Sequence, residues 1–232
     1  MKIFQLDQTR EQYFKTQIDR CNTKFSFSKV SSRDVKKYYD IILNHKKYLN
    51  KNNTIGPVVC MGTRKGREID LFRVGKLRWL SWLVGCFEIN FQYPRSLLFF
   101  LYSFVRSSVK NMIESSVVGV EINPRSERKD VLICSFDDLP ADWSKKFEVL
   151  FSNSFDQSQC PHKTADAWKA VLRDGGYFII CIADDAEPTE TDPVGLLTVE
   201  DVKSLFKCEV VYYSKYGSRA GYSEIILYNN II

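Results

Sequence analysis

The order of apolar and polar segments in this chain predicts an α/β fold: a doubly wound, mostly parallel seven-stranded sheet with N-terminal helices and a hydrophobic helical insert. Three observations predict it. Strand-like apolar runs alternate with segments of helical spacing through the second half of the chain. Two of those runs end in chemistry: Val58-Val59-Cys60-Met61 leads into the loop Gly62-Thr63-Arg64-Lys65-Gly66, and Val117-Val118-Gly119-Val120 ends in the carboxylate of Glu121. A glycine loop beside an acidic strand tip is the pattern of a nucleoside crevice at the carboxyl ends of parallel strands. Finally, the chain closes with two strand-like runs, 208–213 and 222–228, around a short stretch that begins and ends in glycine, Gly217 and Gly221, which predicts an antiparallel edge.

The elements follow in order. Residues 1–55 are polar and rich in Lys and Asn, and form a separate N-terminal segment with helices expected over 9–18 and 32–49. Ser32 is the expected cap of the second, whose Val35, Tyr38, Tyr39, Ile42 and Tyr48 are expected to share one face. The sheet domain spans 56–232. Its first strand precedes Gly62, a helix covers about 66–73, and strands lie near 117–122, 130–134, 147–152 and 176–182. A helix is expected near 162–173, and Thr198-Val199-Glu200-Asp201 has the chemistry of a helix start, followed by Val202, Leu205 and Phe206 at helical spacing.

Composition bounds the rest. Hydrophobic residues make up 44% and charged residues 26% of 232 positions, which fits a soluble domain with a sizeable core. A net charge of +5 permits an anionic partner without demanding one. Seven cysteines include no Cys-x-x-Cys pair and there are only two histidines, so no metal site is expected. Cys60, Cys134 and Cys181 fall in apolar runs, as reduced buried thiols do, and the first residues lack a signal-peptide core; a cytoplasmic location is expected.

From residue 56 onward the chain resembles class I S-adenosylmethionine-dependent methyltransferases. The resemblance rests on the glycine loop at 62–66, Glu121, the run Asp130 to Pro140, the run Phe147 to Asp156, and the helix, Gly175-Gly176 turn and strand from Ala167 to Ile180, all in the family's order. The chain departs from the pattern at Cys60-Met61, where the glycine loop usually opens on an acid, and at Ser135, where the third loop usually carries one. The resemblance implies S-adenosyl-L-methionine as cofactor. Met61, Gly62, Thr63 and Gly66 would then hold its methionine part, Glu121 its ribose, and Ser135 and Phe136, with Asp137, would border its adenine, with Ile122 also among the cofactor-binding residues. Asn153 and Ser154 would face the sulfonium. It also implies that residues 1–55 act as a helical cover over the cofactor or the acceptor; simple packing on the sheet is the alternative.

A general base is not evident from sequence. Asp156 and His162 are the candidates, and His162 is equally suited to starting a surface helix. Glu68, Asp184 and Asp185 also fall near the expected active edge. Gly62 and Glu121 stand 59 positions apart, so residues 74–116 are an insert. Its apolar runs, punctuated by Lys76, Arg78, Arg95, Arg106 and Lys110, are shorter than the roughly 20 residues needed to span a bilayer. They read either as extra helices packed on the domain or as a surface for a membrane interface or a second subunit. Three functions remain open: methyl transfer to an O or N nucleophile of a small molecule or sugar, methyl transfer to RNA or protein, and a non-catalytic interaction role on the same fold.

Overall fold

The computed structural model describes residues 1–23, 30–63, 65–76, 116–215 and 221–230. The elements are β1 (Lys2–Ile3), α1 (Arg10–Thr23), α2 (Ser32–Tyr48), β2 (Val58–Met61), α3 (Arg67–Lys76), β3 (Val117–Glu121), β4 (Val131–Ile133), β5 (Phe147–Ser152), α4 (Pro161–Val171), β6 (Leu172–Ala183), β7 (Val194–Gly195), α5 (Val199–Phe206), β8 (Glu209–Ser214) and β9 (Tyr222–Tyr228). Most of the insert expected over 74–116 lies outside the described residues, as does Arg64. Among the described residues, no helix is long and apolar enough to cross a membrane.

Seven strands form one sheet in the order β4-β3-β2-β5-β6-β9-β8. All run parallel except β9, which is antiparallel to both β6 and β8. This is the class I methyltransferase-like arrangement. Alternation along each strand sorts side chains to two faces. Val58 and Cys60 of β2 join one core with Val35, Tyr38 and Ile42 of α2 and Ile69 and Phe72 of α3. Val59 and Met61 join the other, with Trp168 of α4 and Val202 and Phe206 of α5. Both faces of the central strands are therefore covered, which explains why they read as continuous apolar runs.

Helix α2 is capped by Ser31, one residue earlier than expected. Its Oγ accepts from the Asp34 amide at 3.4 Å, and Asp34 Oδ2 accepts from the Ser31 amide at 2.8 Å. That reciprocal pair needs an acid three residues on, which Ser31 has and Ser32 lacks. Tyr48 does not share the buried face: it is 82% exposed. Six positions past Ile42 turns a helix to its far side, and four positions past brings Lys46 inward instead. Lys46 Nζ meets Glu148 Oε1 at 2.7 Å with both side chains almost fully buried. Lys37 and Tyr38 hold Glu224 nearer the other end of α2, so the helix is fastened to the sheet by two buried carboxylates.

Strand β6 starts earlier than expected, at Leu172, because the chain bulges through Asp174-Gly175-Gly176 before rejoining β5 at Tyr177. Gly175 has φ +71°, and a Cβ at Gly176 would lie 2.8 Å from the Glu148 carbonyl, so both positions require glycine. The N-terminal β1 was not foreseen. It pairs antiparallel with β7, and the Phe4 amide extends the contact to Pro193 O at 2.7 Å. This clips the start of the chain onto the loop after β6.

Candidate functional site

The strand order reverses at β2, which pairs in parallel with β3 on one side and β5 on the other. Ligands of open α/β sheets bind outside the carboxyl ends of strands at such a point. Here that edge carries a cleft with about 600 Å³ of open space, counting its solvent-facing part. Its sheet side is formed by Gly62, Val120, Glu121, Ile122 and the loop Cys134-Ser135-Phe136-Asp137. Its other side is formed by Tyr13, Phe14, Gln17 and Cys21 of α1, with Gln157 and Gln159 from the loop after β5.

The sheet side is pre-shaped by backbone geometry. Gly62 turns the chain at φ +71°, its amide donating to Val120 O at 2.9 Å, and a Cβ there would lie 2.8 Å from the Ser154 side chain. Only glycine fits between this turn and the end of β5. Glu121 is 4% exposed, and its Oε1 accepts from the amides of Ile122 at 3.0 Å and Asn123 at 3.1 Å. Those bonds fix the carboxylate at the strand tip beside the glycine turn. The Phe136 loop is tied back by Trp168, whose indole N–H donates to Phe136 O at 2.9 Å, with the two rings edge to face at 5.7 Å. Asp137 accepts from Ser135 Oγ and from Arg10. The Cys134 thiol is pushed up to about 11 by burial, reinforced by Asp138 and Asp137, so it stays protonated at neutral pH.

Helix α1 crosses the cleft as a lid. At one end Arg10 pairs with Asp137 and Asp138; at the other Arg20 takes both oxygens of Asp192 at 2.5 and 2.6 Å. Between them the Tyr13 hydroxyl donates to Gln157 O at 2.8 Å. Burial, helped by the charge of Asp192, raises the Tyr13 pKa, so this hydroxyl remains neutral.

Of the residues singled out from sequence, Gly62, Glu121, Ile122, Ser135, Phe136 and Asp137 line this one cleft. Met61 and Thr63 are buried beneath it. Gly66 turns at φ +73° under the Arg128 guanidinium, which donates to Gly66 O at 3.1 Å. The Asn153 side chain accepts from Ser154 Oγ at 3.2 Å, just behind the Gly62 turn. Asp156 is half-buried near the lid, where its charge acts on both Tyr13 and Arg20. His162 is exposed on the first turn of α4, and neither it nor Asp156 is part of the cleft lining. Glu68 is buried on α3, Asp184 accepts from Ser223 Oγ, and Asp185 is exposed. Tyr13, Phe14, Gln17, Cys21, Gln157 and Gln159 were not foreseen. The α1 residues recur at helical spacing, but their stripe mixes polar and apolar types and gives no hydrophobic signal.

No family model matches the sequence, and no curated protein matches it. Solved structures do match in fold. The 1,6-didemethyltoxoflavin-N1-methyltransferase of Burkholderia thailandensis, solved with 1,6-didemethyltoxoflavin and S-adenosylhomocysteine bound, aligns with a TM-score of 0.51 at 14% identity over 85% of this chain and 79% of its own. The cyclase SpnF aligns with a TM-score of 0.52 at 9% identity over 100% of both chains. At these identities the likeness establishes the class I methyltransferase-like fold, a fold that also carries a cyclase.

Proposed function

We propose that this chain is an S-adenosyl-L-methionine-dependent methyltransferase acting on an oxygen or nitrogen of a small molecule. One observation carries the reading. The glycine turn after β2 and the buried carboxylate ending β3 meet in a single cleft at the switch point of the sheet, roofed by the chain's own N-terminal helix. The donor set suits the cofactor: Glu121 would take the ribose hydroxyls, Ile122 and Phe136 would flank the adenine, and Ser135 and Asp137 offer polar contacts at its edge. The pattern is incomplete where an acid would open the glycine loop, since Cys60 and Met61 are buried and apolar. Bound in this cleft, the cofactor would supply an electrophilic methyl group.

The chain's own part is alignment and water exclusion. The lid brings Tyr13 and Gln17 over the cleft, and the loop after β5 brings Gln157 and Gln159 to the same space, where an acceptor would be held. Neither base candidate lines the cleft; Asp156 is the better placed, because it is half-buried with its charge acting on Tyr13 of the lid, while His162 faces solvent. RNA is the second reading as acceptor, supported by exposed Lys65, Arg125 and Lys129 around the glycine turn and Glu121 and by Arg67 at the start of α3. The 1,6-didemethyltoxoflavin seen in the Burkholderia thailandensis structure favours the small-molecule reading.

Calorimetric titration with S-adenosylmethionine and S-adenosylhomocysteine tests the proposal. Micromolar binding is expected, weakened about tenfold or more in Glu121→Ala, a loss of about 1.4 kcal/mol. Glu121→Gln, which keeps an acceptor for the Ile122 and Asn123 amides, controls for collapse of the turn. No binding by folded wild-type protein sinks the enzyme reading and leaves an interaction protein on this fold.

A further inference from the structure

We infer that the lid side of the cleft selects an uncharged, flat acceptor by accepting a hydrogen bond from it at Gln17 Oε1. This deepens the proposed function and rests on it in one respect, the placing of the cofactor against the sheet side.

The argument starts from one amide. Gln17 is 4% exposed, in the middle of α1, and forms part of the cleft wall. Its Nε2 donates to Tyr13 Oη at 2.8 Å and to the Thr191 carbonyl. A carbonyl oxygen can only accept, so the orientation of this amide is settled: nitrogen towards Thr191, oxygen away from it. The Tyr13 hydroxyl passes its own hydrogen on to Gln157 O at 2.8 Å, with Thr191 O the longer alternative at 3.3 Å. Donors and acceptors thus run in one direction from Gln17 through Tyr13 to the loop after β5, and the chain begins at an open acceptor. Gln17 Oε1 is buried and has no hydrogen-bond partner among the described residues. Buried polar atoms are rarely left this way, and those that are often belong to ligand sites.

The surroundings define what kind of donor belongs there. The lid side offers Tyr13, Phe14, Gln17, Cys21, Gln157 and Gln159, none of which carries a formal charge at neutral pH when the thiol is protonated. Among the described residues, the two arginines of α1 are committed: Arg10 to Asp137 and Asp138, with its guanidinium also over the Phe14 ring at 4.9 Å, and Arg20 to Asp192. An anionic acceptor would find these cations already paired, and the carboxylates near the lid, Asp156 and Asp192, act on Arg20 rather than standing ready for a cation; either ionised form would also lose its hydration. A neutral ring would meet aromatic surface from Tyr13 and Phe14 and fixed amides for its polar edge. A ring N–H or O–H donor completes Gln17, and an analogue lacking it leaves Oε1 buried and empty, the situation in which sites discriminate most strongly.

The test uses ligand-observed NMR on the full chain with a panel of bicyclic rings in three sets: uncharged, carboxylate-bearing and amine-bearing. The uncharged set includes matched pairs such as 2-quinolone and N-methyl-2-quinolone, which differ in one N–H. Binding is expected to concentrate in the uncharged set, with each N–H member at least tenfold tighter than its N-methyl partner, and Gln17→Leu is expected to erase that difference. The matched pairs in wild-type protein decide the matter even if the variant does not fold. Preference for ionised rings, equal affinity within pairs, or no binding by any member overturns the inference. Titration with S-adenosylhomocysteine in the same samples separates the two readings: its failure to bind, with the pair difference intact, removes the cofactor assignment and leaves the Gln17 site standing.

Discussion

Replacing Arg20 by alanine removes one of the two fastenings of the lid, and the structure sets the size of the effect. Arg20 reaches both oxygens of Asp192 at 2.5 and 2.6 Å and also donates to Thr191 O at 3.2 Å, with side chains 20% and 27% exposed. A single-contact exposed ion pair contributes about 0–1 kcal/mol. Two parallel charge-assisted bonds, partly shielded from water, place this one higher, at about 1–2 kcal/mol. That energy holds α1 down rather than the sheet together, because neither Arg20 nor Asp192 belongs to the two cores. Amide hydrogen exchange in α1 is therefore expected to accelerate roughly 5- to 30-fold in Arg20→Ala, as local opening becomes easier by that amount, while exchange in β5 and β6 stays unchanged. Raising the salt concentration in wild type should move α1 in the same direction but less, since the pair is partly buried. Unchanged α1 exchange in the variant would refute the view that this pair restrains the lid. Equal acceleration throughout the protein would show instead that Arg20 supports the whole fold.

Three further outcomes are expected. Trp168→Ala empties the largest fully buried side chain among the described residues, which packs on Phe155 and Phe206 and ties down Phe136, and should cost about 3–5 kcal/mol in urea unfolding while weakening S-adenosylhomocysteine binding through the loosened loop. Cys134 should alkylate on the order of a hundred times more slowly at pH 8 than an unshifted thiol, since its thiol titrates near 11, with the rate rising steeply towards that pH; mass spectrometry across a pH series reads this directly. Asp130 is opposed by its burial, but Arg73 and Arg128 outweigh that and hold its carboxyl below the usual range. A lowered native pKa means the unfolded chain binds the proton first on acidification. The stabilisation is complete above the unfolded value of about 4 and is lost as pH falls through the lower native one. Asp130→Asn should accordingly be less stable at pH 7 and show a flatter decline in acid, measured by denaturation at several pH values.

The sheet was legible in the sequence because its strands are buried on both faces. Val58 to Met61, Phe147 to Ser152 and Tyr177 to Ile182 have no polar alternation to confuse them with surface segments. Helix α5 was legible for a different reason, as Thr198 and Asp201 form the local reciprocal cap that their spacing announced. Of the details that went astray, the α2 cap, Ser31 rather than Ser32, was local, because only Ser31 has an acid three residues on; the others were decided by neighbours distant in the chain. Lys46 rather than Tyr48 turns inward to reach Glu148, and two residues at the N-terminus become a strand only because Val194 and Gly195 lie alongside.

The sequence alone determined the α/β alternation and the two chemical strand ends, Gly62 and Glu121, because apolar periodicity and glycine chemistry are local properties of the chain. The tertiary structure decided that both ends open into one cleft, that α1 roofs it, and that Gln17 brings a buried open acceptor into its wall. Those features depend on Arg10, Arg20 and Tyr13 meeting partners more than 120 positions away, and no spacing along the chain encodes a contact of that kind.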